Sequence, residues 1–304
     1  MSARLLLLCP GQGGQHGAMF DLARTDAGAA NLLGACGFSA IEPESMFENR
    51  LAQPLIVGAT LAMWEALRRR VPAPSLVAGY SVGELSAYGV AGALEPIDAV
   101  RLASVRAALM DAAAAGAPQA LVAIGGLALE RTSTLAHDHA FEIAIVTGHD
   151  SCIAGGLEAT LAHLDMAVAS AGGRLQRLPV GIASHTALMA PAVAPFADAL
   201  LAAPFHPQAC PVLSGIGAEK VAGKAGAVDT LSRQLSETIV WSDCMDAAAE
   251  AGMTVALELG PGAALARMLQ ARHPHIACRS VADFRSLDGI VAWLGRHVDT
   301  MPVA

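Results

Sequence analysis

Aromatic side chains make up only 4% of this 304-residue sequence and charged ones only 15%, whereas hydrophobic residues reach 54%. Core-forming material is plentiful, so one large domain, or a large domain with a smaller insert, fits the length. With few rings and much Ala and Gly, its helices have to pack closely on small side chains. Positive charge is also short. The net charge is −8, and the one Lys/Arg-rich tract is Arg68-Arg69-Arg70. Nucleic acid is thereby excluded as an expected partner. The triplet reads as a helix C-terminus, where the backbone dipole favours cations, with docking of an acidic protein as the minority reading. No stretch of about 18 uninterrupted apolar residues exists, so no membrane span is expected. Leu5-Leu6-Leu7-Leu8-Cys9, halted by Pro10, is too short for a signal-peptide core and reads as a buried first strand. A cytoplasmic protein is expected. The six cysteines include no C-x-x-C, which points to neither a zinc site nor a disulfide framework. His137/His139 and His273/His275 have no recognisable ligand spacing and read as surface-loop histidines, so no metal is expected.

What is present is an alternation of apolar runs and helical stretches, the signature of a mostly parallel sheet covered on both faces. Strands are expected at 4–8, 75–79, near 210–214 and at 254–259. Helices are expected at about 52–69, 82–92, 96–114, near 227–239, and after 262 and 284. The middle departs from this rhythm. Strand 120–125, helix 127–137, strands 142–147 and 152–155, helix 157–171 and strand 174–179 follow in the order β-α-β-β-α-β. The expectation is a large α/β-hydrolase-like catalytic domain with a parallel sheet, formed by residues 1–118 and 182–304. Residues 119–181 would be a small inserted ferredoxin-like α+β subdomain.

Ser81 lies in Gly79-Tyr80-Ser81-Val82-Gly83, a G-x-S-x-G pentapeptide directly after the apolar run 75–78. This is the form of a nucleophile elbow, in which a serine sits at the apex of a sharp strand-to-helix turn. The pattern fixes only three positions in a chain with 30 Gly, and an ordinary tight turn fits it equally. A serine nucleophile needs a base, and His185 in Ser184-His185-Thr186-Ala187-Leu188-Met189 is the best of ten histidines. Ser184 is a plausible N-cap there, which places His185 in the first turn of a helix, either as the base or simply solvated. A tetrahedral intermediate needs aimed backbone donors. The N–H of Val82 is one, and the glycine-rich loop Pro10 to Gln15 after the first strand could supply another. That loop lacks the Lys-Ser/Thr of a P-loop, and His16 stands where a third glycine would complete a dinucleotide fingerprint.

Taken in order, these motifs resemble the malonyl-CoA:acyl-carrier-protein transacylases over nearly the whole chain. The resemblance rests on Pro10 to Gln15, Ala52-Gln53-Pro54, Gly79 to Glu84 and Arg106-Ala107-Ala108-Leu109-Met110. It rests further on Ser184 to Met189, Gln234 with Trp241, and Glu258-Leu259-Gly260-Pro261-Gly262. It implies that Ser81 attacks a malonyl thioester, that His185 is its base, and that the Gln234 backbone carbonyl orients the imidazole. The Gln12 and Val82 amides would form the oxyanion hole. Arg106 would grip the malonyl carboxylate, which a guanidinium can bind through two parallel hydrogen bonds. By pattern alone Arg106 reads rather as a solvated helix arginine, like Arg101, and the resemblance reverses that choice.

The resemblance implies an acyltransferase working by ping-pong exchange, with malonyl-CoA as substrate and no metal or redox cofactor. An acyl carrier protein bearing a phosphopantetheine-type thiol would be the acceptor. Tyr80 replaces the histidine that commonly precedes the nucleophile. Gly-Tyr-Ser-Val-Gly-Glu with Ser86-Ala87-Tyr88-Gly89 looks more like the transacylase subunit of malonate decarboxylase, whose acceptor is the decarboxylase's own carrier subunit. That branch is the favoured expectation, with the transacylase of fatty-acid synthesis as the alternative. A serine thioesterase or hydrolase and a non-catalytic carrier-binding subunit are the remaining rivals. A hydrolase of the α/β type would place its histidine near the C-terminus rather than mid-chain.

Overall fold

A computed structural model describes residues 4–38 and 45–298. The opening apolar run forms β1 (Leu5–Cys9), buried throughout. Helix α1 (Ala27–Ala35) begins at Asp26, whose carboxylate accepts from the Ala29 N–H as an N-cap. Helix α2 (Asn49–Leu67), strand β2 (Leu76–Gly79) and helices α3 (Gly83–Val90) and α4 (Pro96–Ala114) follow. Pro96 opens α4, where the missing N–H has no intrahelical partner to lose. The middle of the chain forms β3 (Gln119–Gly125), α5 (Leu129–Asp138), β4 (Phe141–Val146), β5 (Ser151–Leu157), α6 (Leu161–Ser170) and β6 (Arg174–Arg177). It returns through α7 (Ala190–Ala202), β7 (Val212–Leu213), β8 (Lys220–Val221), α8 (Gly223–Arg233), β9 (Ile239–Val240) and α9 (Trp241–Glu250). The last elements are β10 (Val255–Glu258), α10 (Ala264–Arg272), β11 (Ala277–Ser280) and α11 (Leu287–Val298).

These elements make a mixed α/β fold with two sheets. The first has the order β11-β10-β1-β2-β7-β8. Its strands are parallel except at the edge, where the two-residue β8 folds back against β7. The expected parallel sheet therefore describes its body but not that edge. β1, β2 and β10 are buried at every residue, which is what a strand covered on both faces requires. Cys9 pairs with Gly79, so β1 and β2 end level and the loops that follow them lie side by side.

The second sheet has the order β6-β3-β5-β4-β9. Its first four strands are antiparallel neighbours, and β9 joins β4 in parallel at Ile145↔Ile239 and Val146↔Val240. β9 comes from the returning part of the chain, so the sheet takes one strand from outside 119–181. Val122, Phe141, Ala154, Leu164 and Val168 form the small core between this sheet and α5 and α6.

Several local expectations are corrected. Ser184 does not cap a helix: a 3₁₀ turn at Ala187–Met189 precedes α7, with Thr186 at its cap position. The last strand of the middle segment stops at Arg177. His273, at the C-cap of α10, is no free surface histidine, since its Nε2 lies 2.8 Å from Asp246 Oδ1, and His137 lies in the last turn of α5 rather than in a loop. Arg68 caps α2 and pairs with Glu65, while Arg70 pairs with Asp288, so two of the three arginines are engaged within the chain. All six cysteines are free thiols. Among the described residues no cluster of His, Cys, Asp or Glu could hold a metal ion, and no helix is long and apolar enough to cross a membrane.

Candidate active site

The turn after β2 is tight enough to explain its sequence. Ser81 has φ +56°, a left-handed conformation rarely adopted outside glycine, as the apex of a strained turn requires. A Cβ at Gly79 would lie 2.3 Å from the Glu84 backbone nitrogen, and one at Gly83 would lie 2.2 Å from the Cys9 carbonyl and 2.6 Å from that of Pro10. Both glycines of the pentapeptide are thus fixed by contact, one with the start of α3, the other with the strand and loop alongside.

His185 arrives from the linker between β6 and α7. Its own φ is +64°, and it is held from two sides. The Ala183 N–H donates to Gln119 Oε1 at 2.9 Å, and the His185 N–H donates to the Leu235 carbonyl at 2.8 Å. Its Nε2 lies 2.8 Å from Ser81 Oγ, and its Nδ1 lies 2.5 Å from the Gln234 carbonyl. A carbonyl can only accept, so Nδ1 carries the proton and the Nε2 lone pair faces the serine hydroxyl. Burial, and next the positive charge of Arg106, depress the His185 pKa to about 3, with the Gln234 carbonyl opposing them. The ring is therefore a neutral base at ordinary pH. Gln234 caps the C-terminus of α8, and that end of the helix dipole favours the imidazolium once a proton arrives.

Arg106 sits on α4 with only 2% of its surface exposed, while Arg101 on another face is exposed and paired with Asp98. Its Nη1 donates to Gln53 Oε1 at 2.7 Å. Its Nη2 reaches Ser81 Oγ at 3.4 Å and Gln234 Oε1 at 3.5 Å. Gln53, wholly buried in α2, donates in turn to Asn49 Oδ1 at 2.7 Å, which also accepts from Gln12 Nε2 at 3.2 Å. Asn49 Nδ2 is anchored on the Ala107 carbonyl and Asp111. Burial lowers the Arg106 pKa to about 10, partly offset by Glu84, so the guanidinium stays charged. A fully charged cation held mainly by neutral amides beside a nucleophile is a site for an anionic group.

Ser81, His185, Gln234 and Arg106 are thus brought together, and the Gln12 loop lies against the elbow. Among the described residues neither the Gln12 nor the Val82 amide is spent on an internal hydrogen bond. Tyr80 points away from this cluster. Its ring meets Trp241 edge-on at 5.2 Å and lines a cleft of about 780 Å³ with Thr147, Ser151, Arg174, Gln176 and Met268. Sequence reasoning assigned no role to Gln53 or Glu84. Each is a polar residue inside an otherwise apolar helical stretch, which was the signal available. Asn49 carries no such signal.

Comparisons with known proteins bear on the family and the fold. The family model described as acyl transferase domain matches residues 7–283. The malonyl CoA-acyl carrier protein transacylase of Mycobacterium tuberculosis is 31% identical over 300 residues, covering 93% of this chain and 98% of that protein. The crystal structure of the Mycobacterium tuberculosis enzyme superposes with a TM-score of 0.87 at 30% identity, covering 95% of this chain and 99% of that one. A malonyl-transacylase solved in complex with its type II polyketide synthase acyl-carrier protein superposes with a TM-score of 0.88 at 26% identity, again over 95% and 99%.

Proposed function

We propose that this chain, an acyltransferase that belongs to the acyl transferase domain family and within it to the malonyl-CoA:acyl carrier protein transacylases, moves a malonyl group from malonyl-CoA to a carrier-protein thiol by way of Ser81. Ser81 Oγ attacks the thioester carbon as its proton passes to His185 Nε2. The Gln12 and Val82 amides receive the oxyanion. On collapse the C–S bond breaks, and the CoA sulfur leaves with the proton from His185. In the second half the carrier's phosphopantetheine-type thiol gives its proton to His185 and attacks the malonyl ester, and Ser81 recovers its hydrogen. Only acyl–oxygen and acyl–sulfur bonds change, so the cycle calls for no metal or redox group.

The observation that carries the reading is the buried Arg106 guanidinium within 3.4 Å of Ser81 Oγ. An acyl group ending in a carboxylate gives that cation its partner, whereas an acetyl group leaves it unpaired. Intact-mass spectrometry tests the reading. Wild type incubated with malonyl-CoA should gain one malonyl mass that Ser81→Ala abolishes and a carrier protein removes. No adduct would sink the reading, and an adduct lost to water as fast as to carrier would favour the hydrolase.

For the acceptor, the relatives support an acyl carrier protein of fatty-acid or polyketide type better than the malonate decarboxylase carrier subunit. Tyr80 and its neighbours through Ser86-Ala87-Tyr88-Gly89 favour the decarboxylase branch, and loading both carriers in competition separates the two. The finer fold reading, a hydrolase-like domain (1–118 and 182–304) with a ferredoxin-like insert at 119–181, draws support from the order β6-β3-β5-β4 of the inserted strands.

A further inference from the structure

Glu84 is a carboxyl group with no place in the cycle just described, yet it sits at the centre of the residues that perform it. It lies in the first turn of α3, fully buried. A carboxyl removed from water in this way is unfavourable unless its oxygens are occupied, and an apolar side chain would fill the same volume without that burden. Its Oε2 accepts two hydrogen bonds, one from the Gly215 N–H at 3.0 Å and one from Gln234 Nε2 at 2.5 Å. Its Oε1 has no hydrogen-bond partner among the described residues.

The second of these bonds decides the orientation of Gln234. An amide side chain is nearly symmetrical in shape but has a donor end and an acceptor end. The guanidinium of Arg106 can only donate, so the acceptor end of the amide must face it, and the donor Nε2 is received by Glu84 Oε2 on the other side. The acceptor Oε1 then faces Arg106 Nη2, at 3.5 Å. With the amide reversed, two donors would confront each other and drive the guanidinium off its line toward Ser81. The same residue's backbone carbonyl holds His185 Nδ1, at the end of a helix where no further turn supports it.

We infer that Glu84 is a positioning residue that acts through the Gln234 side chain, fixing at once the guanidinium of Arg106 and the carbonyl that orients His185. Burial pushes the Glu84 carboxyl up to about 8, with Gly215 and Gln234 opposing, Glu219 adding to the rise and Arg106 countering it. A proton taken up on Oε1 leaves Oε2 as the acceptor, so the Gln234 bond survives a change of charge. The inference rests on the Ser81 acyl-enzyme reading.

Single-turnover acylation of Ser81 by malonyl-CoA, followed by intact mass, tests it in wild type, Glu84→Ala, Glu84→Gln, Gln234→Ala and the Glu84→Ala/Gln234→Ala pair. Glu84→Ala should slow acylation about 30-fold, while Glu84→Gln, which still accepts from Gln234, stays within about threefold of wild type. The pair should be no slower than Gln234→Ala alone. Should Glu84→Ala fail to fold, Glu84→Met keeps the volume, removes the acceptor and carries the same comparison. Glu84→Gln as slow as the truncation, or a full additional loss in the Gln234→Ala background, overturns the inference while leaving the acyl-enzyme intact. A wild type that takes up no malonyl group overturns both readings.

Discussion

In the six-stranded sheet β1, β2 and β10 are buried from end to end, whereas in the five-stranded sheet β6 is exposed at Arg174, Gln176 and Arg177. Chemistry is divided along the same line. Ser81, Arg106, Gln53 and Gln234 all belong to elements packed on the first sheet, where the surroundings are close and dry. The second sheet contributes Thr147, Ser151, Arg174 and Gln176 to an open cleft of about 780 Å³ next to Tyr80. The first environment holds the Ser81–His185 pair and Arg106, whereas the second is open to solvent. The lesson is that donor chemistry and acceptor choice should be separable by mutation.

The hardest blow to the buried side is Ser81→Ala, expected to lower malonyl transfer by about 10⁴-fold or more, because the covalent step disappears. Steady-state transfer to carrier with radiolabelled malonyl-CoA measures it. Arg106→Ala should lower kcat/KM for malonyl-CoA by about 100-fold or more while leaving acetyl-CoA little changed, so the ratio of the two donors is the sharper readout. Gly83→Ala drives a Cβ into the Cys9 and Pro10 carbonyls and should destabilise the fold by about 2 kcal/mol or more, seen as a lowered Tm.

The pH profile distinguishes the sides more gently. A histidine depressed to about 3 keeps its base form as pH falls, so acylation by malonyl-CoA should show no histidine inflection between pH 8 and 5. Arg106 is one cause of the depression, so Arg106→Ala should move the acid limb upward, measurable with a neutral ester substrate. The smallest effect belongs to the open side. Tyr80→His should change the KM for carrier proteins by about threefold or less with acylation unaltered, and a large change in acylation would break the division.

The sequence exposed the two environments unevenly. Leu5–Cys9 and Leu76–Gly79 are continuous apolar runs, and such runs bounded by turn residues identify buried parallel strands. β8 and β9 are two residues long, too short to carry any period; β8 pairs with its neighbour in the chain, β7, whereas the place of β9 depends on β4, distant in the chain. Ser81 was visible through its flanking glycines, whose necessity is steric. His185 was the best of the histidines by its place in the chain, but the helix start expected at Ser184 was wrong: its position comes from a left-handed backbone and from hydrogen bonds to residues 234 and 235. Arg106 and Arg101 lie on one helix five residues apart, and nothing in the pattern around them told the buried one from the exposed one. Glu84 and Gln53 act through partners on other elements, which no local pattern can encode.

β9 has a mechanical consequence. The chain crosses between the two sheets at both ends of residues 119–181, and these crossings alone would leave a two-stranded hinge about which the smaller layer could swing. The Ile145↔Ile239 and Val146↔Val240 pairings add a third attachment, off the hinge line and directly ahead of Trp241. Three attachment points that are not collinear define a plane. β9 thus ties the layer that lines the cleft beside Tyr80 back to the returning part of the chain at a point separate from both crossings.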